Sequence, residues 1–225
     1  MYWSELNRKR VGQLRDWLSD KSIIVVGNSV KMLSNDYGDI IDSYDVVVRL
    51  GKGLTEPNLY KNIGTKTDIW FSGMLRAGLY NRVDCKWKIL TPSTKTIYDT
   101  DPFIPVNKAL FNDDFHPYKH YFWSDSVENT RNFWMKMGFD KDTRPSQGII
   151  CCDFLARIVK KQTFDIIGFD FFTEKIIIND KEYTSWHLPN KVGPPDNVAH
   201  GVKREKNIMG ILTSKYDIRL LPYKE

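Results

Sequence analysis

Residues 22–51, SIIVVGNSVKMLSNDYGDIIDSYDVVVRLG, constrain the fold more than any other part of the chain. The β-branched run Ile23-Ile24-Val25-Val26 breaks at Gly27-Asn28-Ser29, and an amphipathic segment follows. A second apolar run, Val46-Val47-Val48, then ends at Arg49. The pattern predicts strand, tight glycine turn, helix and strand, a βαβ unit whose first turn lies at the carboxyl end of its first strand. Open parallel sheets hold their ligands at that end. Gly27 lets the backbone approach closely, and Asn28 and Ser29 place donors at a helix start that already favours anions. Taken alone, the same turn is an ordinary strand-to-helix connection with a Ser cap, because it lacks a full G-x-G-x-x-G.

Further along, Gly51-Lys52-Gly53 forms a loop on the same side of the sheet as Gly27. Ile69–Ser72, Trp87–Pro92, Phe164–Asp170 and Ile218–Leu221 read as further strands or strand ends. Residues 2–20 read as an amphipathic helix carrying Trp3, Leu6, Leu14, Trp17 and Leu18, either covering the sheet or facing a polyanion with its basic strip. Residues 126–139 and 149–159 read as helices, 174–185 as a β-hairpin, and His200 opens a last helix. Residues 92–125 hold four of the ten prolines and little periodicity, so they predict a loop-rich flap.

A chain of 225 residues predicts a single domain spanning 1–225. The formal charge of +5 suits a phosphate-bearing partner, whether nucleotide, nucleic acid or anionic surface. Seven Trp and eleven Tyr serve a core, or offer flat faces to sugars and bases. Cys85, Cys151 and Cys152 form no disulfide framework and no metal-ligand spacing, which predicts a reducing, cytoplasmic compartment. No apolar run is long enough to span a membrane, no signal-peptide core precedes the first strand, and the Met start reads as the natural beginning. Asp99-Thr100-Asp101 has the acidic pattern that can hold Mg²⁺ or Mn²⁺ against a diphosphate, but the triplet alone lacks the converging oxygens a hard cation needs. His116 and His120 in the same region read as solvated loop residues.

Taken together, the ordered motifs resemble those of the sialyltransferase family (glycosyltransferase family 29-like). The long motif of that family is matched by Val25-Val26-Gly27-Asn28-Ser29, Gly38, Ile41-Asp42, Asp45-Val46 and Arg49, with Gly51 standing where the family has Asn. Gly64-Thr65-Lys66-Thr67 resembles the segment between its motifs. Pro145-Ser146-Gln147-Gly148, an apolar helix and a strand ending Gly168-Phe169 resemble its short motif, with Gln147 in place of Thr. His200 and Glu205 have the spacing of its last motif, and Trp186-His187 loosely resembles its aromatic-His motif. The cysteines that the family uses to link its long and short motifs are absent: Ser22 and the neighbourhood of Gln162 and Thr163 occupy those places.

The resemblance implies an α/β fold, a doubly wound, mostly parallel Rossmann-like sheet with helices on both faces. It implies a metal-independent transferase that moves a sugar from a nucleotide-activated donor, CMP- or UDP-linked, to an acceptor hydroxyl by inversion. His200 would be the base, and His187 would donate to the departing phosphate. Gly27, Asn28, Ser29, Arg49, Ser146, Gln147, Gly148 and Trp186 would hold the donor, and Glu205 would be structural or orienting. No cofactor is expected beyond the donor substrate. Gly51 and Gln147 depart from the family at donor-site positions, so the reaction class carries over better than the sugar. Two acceptors compete. One is a hydroxymethylated base in viral DNA, favoured by the charge, the missing anchor and disulfide, and a Lys/Asn/Ile-rich composition. The other is a saccharide of a glycan or lipopolysaccharide. A non-catalytic binding module and a Rossmann oxidoreductase are the other classes; the first conflicts with the His200/Glu205 pair, the second with the missing glycines.

Overall fold

Four β-branched residues in a row, all fully buried, make Ile23–Val26 (β1) a strand covered on both faces, as a central parallel strand must be. The computed structural model describes residues 11–53, 57–72, 83–90, 145–159, 162–171, 173, 176–178, 181–183 and 202–223. Among these, β1 is followed by Val46–Leu50 (β2), Ile69–Ser72 (β3), Trp87–Leu90 (β4), Phe164–Ile167 (β5), a small antiparallel pair Ile176–Ile178 (β6) and Lys181–Tyr183 (β7), and Ile218–Leu220 (β8). Helices occupy 11–18 (α1), Gly38–Asp42 (α2), Tyr60–Ile63 (α3), Gln147–Val159 (α4) and Val202–Lys215 (α5).

Six strands form one sheet in the order β4-β3-β2-β1-β5-β8, and every pair in it is parallel. The chain steps outward from β1 to β4, returns to the other side of β1 as β5, and steps outward again to β8. The direction therefore reverses between β1 and β5, where Val25 lies opposite Ile166. At such a switch point the connections leave to opposite sides and open a crevice at the carboxyl ends of the strands. The expected α/β sheet is present with helices on both faces.

The alternation of side chains along each strand sorts the core into two layers. Ile23, Val25, Val46, Val48, Phe71 and Ile166 face α1, α4 and α5, which contribute Leu14, Leu18, Phe154, Leu155, Ile208 and Leu212. Ile24, Val26, Val47 and Ile167 face Met32, Tyr37, Ile41 and Ile63 on the other side. Leu14 and Leu18 are fully buried and Arg15 Nε donates to Ile158 O at 3.3 Å, so the described part of the first helix covers the sheet.

The segment after Ser29 differs from the single amphipathic helix expected. It is a 3₁₀ turn, Val30–Ser34, then Asn35 in extended conformation (φ −146°, ψ 166°), then the short α2. Ser and Asn favour local side-chain bonds over helix continuation. Gly38 then presses on α3, where an added Cβ would stand 2.2 Å from Tyr60 O. The last α-helix and strands match the expected positions, and α4 begins two residues earlier than the expected 149.

Polar ties join the chain segments that lead into the strands. Ser22 N–H and Oγ both donate to Asp45 Oδ2, at 2.9 and 2.8 Å, and Asp45 N–H returns a bond to Ser22 Oγ at 2.9 Å. The Gln162 amide donates to Leu18 O at 3.1 Å and to Lys21 O, joining the chain ahead of β5 to the chain ahead of β1.

Candidate functional site

The floor of the β1–β5 crevice is main chain. Gly27 N–H donates to Ile167 O at 2.7 Å, and Ser29 N–H donates to Gly168 O at 3.2 Å. A Cβ on Gly27 would stand 2.2 Å from Gly168 O, and one on Gly168, whose φ is +78°, would stand 2.7 Å from Gly27 O. Nothing larger than hydrogen fits at either position. The Ser29 hydroxyl is buried and accepts Lys31 N–H at 3.1 Å, so it caps the turn that follows β1.

Asn28 stands at the lip. Its Nδ2 donates to Leu50 O at 3.3 Å, while its Oδ1 is buried and accepts nothing among the described residues. The loop after β2 closes on this amide, since a Cβ on Gly53 would lie 1.9 Å from Asn28 Oδ1. Gly51, in the same loop, has φ +54° and open space where a Cβ would go. Its carbonyl accepts Trp70 Nε1–H at 2.7 Å. Asn is among the few other residues that visit this backbone region, so glycine at the family's Asn position keeps the turn and removes the side chain.

Phe169 connects the two halves of the crevice. Its ring would meet a Cβ on Gly27 at 3.0 Å and one on Gly148 at 2.5 Å. The head of α4 therefore sits beside the Gly27 turn. Ser146 caps that helix: its hydroxyl accepts Ile149 N–H at 3.4 Å and its carbonyl accepts Ile150 N–H at 3.1 Å. Gln147 Oε1 is buried and has no partner among the described residues. Free N–H groups at a helix start attract anions.

The head of α5 reaches the same place. Glu205, in its first turn, is 1% exposed. Its carboxylate accepts Ser146 N–H at 2.7 Å and Ser146 Oγ–H at 2.6 Å. Burial pushes this carboxyl up from 4.5 to about 7, against the two Ser146 hydrogen bonds that favour its charged form. Glu205, expected to be structural or orienting, holds the cap of α4 through these two bonds.

Arg49 lies below the lip. It is fully buried, with Nε donating to Lys66 O at 2.8 Å and Thr67 Oγ1 at 3.1 Å, and Nη2 donating to Ile63 O at 2.6 Å. Burial pulls its guanidinium down to about 10, and the Asp42 charge opposes this. The Asp42 carboxylate accepts Thr65 N–H at 2.8 Å, Thr65 Oγ1–H at 2.8 Å and Lys66 N–H at 3.0 Å. Burial works to raise that carboxyl, but these bonds and the Arg49 charge outweigh it and hold it below its ordinary value. The Lys66 ammonium donates to Tyr44 O and, at 2.9 Å, to Asp45 O. Arg49, Asp42, Thr65 and Lys66 thus form a polar network that fixes the loop before β3.

The crevice brings together Gly27, Asn28, Ser29, Ser146, Gln147, Gly148 and Glu205. Trp186, His187 and His200 lie outside the described residues, as do the 92–125 flap, Asp99, Asp101, His116, His120 and the expected 126–139 helix. Among the described residues, no three His, Cys, Asp or Glu side chains gather to hold a metal ion, and no helix is long and apolar enough to cross a membrane. Phe169, Gly168 and Gly53 also meet at the crevice, and none of them is among the site residues that the sequence motifs imply. The signal was present for two of them: Gly168-Phe169 ends β5 as Gly27 ends β1.

Residues 16–82 match the family model of glycosyltransferase family 29 (sialyltransferase). Over 50 residues the chain is 46% identical to a β-1,6-galactosyltransferase of Arabidopsis thaliana, and the match spans 22% of this chain and 12% of that protein. A mammalian sialyltransferase solved with Gal-β-1-3GalNAc-ortho-nitrophenol aligns over 98% of this chain and 80% of its own, at 19% identity and a TM-score of 0.54. A variant of the Campylobacter jejuni sialyltransferase CST-II, solved with CMP, aligns over 90% and 81%, at 14% identity and a TM-score of 0.54. At these identities the structural likeness is one of fold. The resemblance to the sialyltransferases holds in the family match and in the fold. The matched segment carries β1 to β3 and the Gly27 turn, and Ser146 and Glu205 lie beyond it.

Proposed function

We propose that the protein is a glycosyltransferase that moves a sugar from a nucleotide-activated donor onto an acceptor hydroxyl with inversion at the anomeric carbon. The observation that carries this reading is the meeting of three distant segments at one sheet edge: Gly27 lies against Gly168, Phe169 lies between Gly27 and Gly148, and Glu205 holds Ser146. The match to glycosyltransferase family 29 supplies the reaction class.

Inversion needs a base that removes the acceptor proton as the oxygen attacks, and donors that take up charge on the leaving phosphate. The N–H groups at the head of α4, with Asn28 at the opposite lip, are placed for the second task. His200, two residues ahead of α5, is our candidate for the first. His187 is our candidate donor to the departing phosphate, and Trp186 a candidate wall for the donor. Arg49 acts through the loop it anchors. The reaction needs no divalent metal in this scheme.

A saccharide hydroxyl is the acceptor we favour. One structural neighbour was solved with Gal-β-1-3GalNAc-ortho-nitrophenol, and the Arabidopsis relative is a galactosyltransferase. A hydroxymethylated DNA base is supported by the +5 charge, the missing anchor and disulfide and the composition, but by neither of these similarities. The donor is CMP- or UDP-linked. Incubation with a panel of nucleotide sugars, read as slow donor hydrolysis, tests the reading. Turnover of one donor that survives EDTA, and that His200→Ala abolishes with nucleotide affinity kept within about threefold, is the expected result. Failure to bind or hydrolyse any nucleotide sugar would overturn it.

A further inference from the structure

Glu205 is a buried acid with no basic partner among the described residues. Among the described residues no Lys, Arg or His lies within ion-pair reach of it, and its polar partners are both on Ser146. The facing titratable group on α4 is the Cys152 thiol, which burial and the charges of Asp153 and Glu205 push far above its ordinary value, so it stays neutral. Asp153 itself is held by Arg157 Nε at 3.0 Å. On α5, Lys203 and Lys206 point to solvent and Arg204 is half-buried.

We infer that binding of the donor's phosphate at the head of α4 is coupled to proton uptake by Glu205, with the Ser146 hydroxyl turning from the Glu205 carboxylate to the bound phosphate. This rests on the donor reading above. An ionised carboxylate only accepts, so it occupies the Ser146 N–H and O–H together. A protonated carboxyl keeps its C=O on the Ser146 N–H, and its new O–H can donate to Ser146 Oγ. The Ser146 proton is then released for another acceptor. The balance is simple: solvent supplies one proton to a Glu205 oxygen, one hydroxyl rotates, and no bond to carbon changes. Both physical effects act in one direction. A phosphate nearby disfavours a second negative charge, and protonation adds a donor where the phosphate arrives. Glu205 is a positioning residue here, acting through Ser146. Its ordinary midpoint is displaced to about 7, so the exchange falls in the range where the enzyme would work.

Calorimetric titration in buffers of different ionisation enthalpy reads protons taken up per ligand. The probes are the methyl esters of cytidine 5′-phosphate and uridine 5′-diphosphate, chosen because their phosphates do not titrate near neutrality. The wild type should take up about half a proton per bound probe at pH 7, fading towards zero by pH 5.5, and its affinity should weaken about tenfold from pH 6 to pH 9. Glu205→Gln mimics the protonated acid, and should bind with no uptake and a pH-independent affinity. Ser146→Ala should bind more weakly and with reduced uptake. A wild type that binds either probe without uptake near pH 7 overturns the inference and leaves the donor reading standing. Uptake unchanged in Ser146→Ala overturns the role of the hydroxyl. If neither probe binds, the donor reading falls and this inference with it. Should Glu205→Gln not fold, the wild-type pH profile decides alone.

Discussion

Replacing Glu205 with glutamine should stabilise the protein in alkaline solution and do little in acid. The folded chain keeps the Glu205 proton up to about pH 7, whereas the unfolded chain releases it near 4.5. Between those values the folded state binds more protons, so stability falls as pH rises. The favourable contribution is fully present below about 4.5 and is lost as pH passes about 7. Raising a carboxyl from 4.5 to about 7, at 1.36 kcal/mol per pH unit, charges the folded state about 3 kcal/mol in alkaline solution. Glutamine has nearly the same shape, cannot ionise, accepts the Ser146 N–H and can donate to Ser146 Oγ. The stability difference between variant and wild type should therefore shift by about 3 kcal/mol in favour of the variant between pH 4.5 and pH 8.5. Exposed carboxylates titrate alike in both proteins and cancel. Urea unfolding followed by tryptophan fluorescence across that range measures it. A difference that stays constant within about 0.5 kcal/mol would refute the reasoning, because Glu205 would then be ionised through the whole range, or not buried.

Three further substitutions test the frame around the crevice. Gly27→Ala places a methyl 2.2 Å from the Gly168 carbonyl, just past the end of β5, and should cost about 3 kcal/mol or more in chemical denaturation. Gly51→Ala should cost about 1 kcal/mol through its left-handed backbone, and Gly51→Asn clearly less, as thermal melts would show. Arg49→Met removes the donors on Ile63 O, Lys66 O and Thr67 Oγ1 and should cost about 3 kcal/mol, with hydrogen exchange rising in residues 63–68 ahead of the rest of the sheet.

Strands were legible where burial on both faces forces unbroken apolar runs. Ile23–Val26 and Ile69–Ser72 could hardly be anything else in a chain of this length, and Gly27 and Gly168 follow their strands directly. The helix after Ser29 was less legible. Its apolar periodicity is real, since Val30, Met32 and Ile41 are buried, but periodicity does not report that Asn35 leaves the helical region. Arg49 shows a different limit. The resemblance implies that it holds the donor. Only the fold shows that its side chain points into the layer beneath, where the carbonyls of the 63–67 loop await donors. The structural or orienting role expected of Glu205 carries no partner in the sequence, because Ser146 stands 59 residues away and no local pattern encodes that contact. The Gln162 tie to Leu18 and Lys21 was invisible for the same reason.

The pairing of β1 with β5 has a kinetic consequence. The two strands that frame the crevice are adjacent in space, yet Val25 finds Ile166 only after about 140 intervening residues have been made. β1 can join β2 early, through a short connection, but its other edge has no native partner until most of the chain has emerged. Refolding should therefore be slow and prone to association through that bare edge. The crevice between β1 and β5 should be the last part of the molecule to acquire its shape.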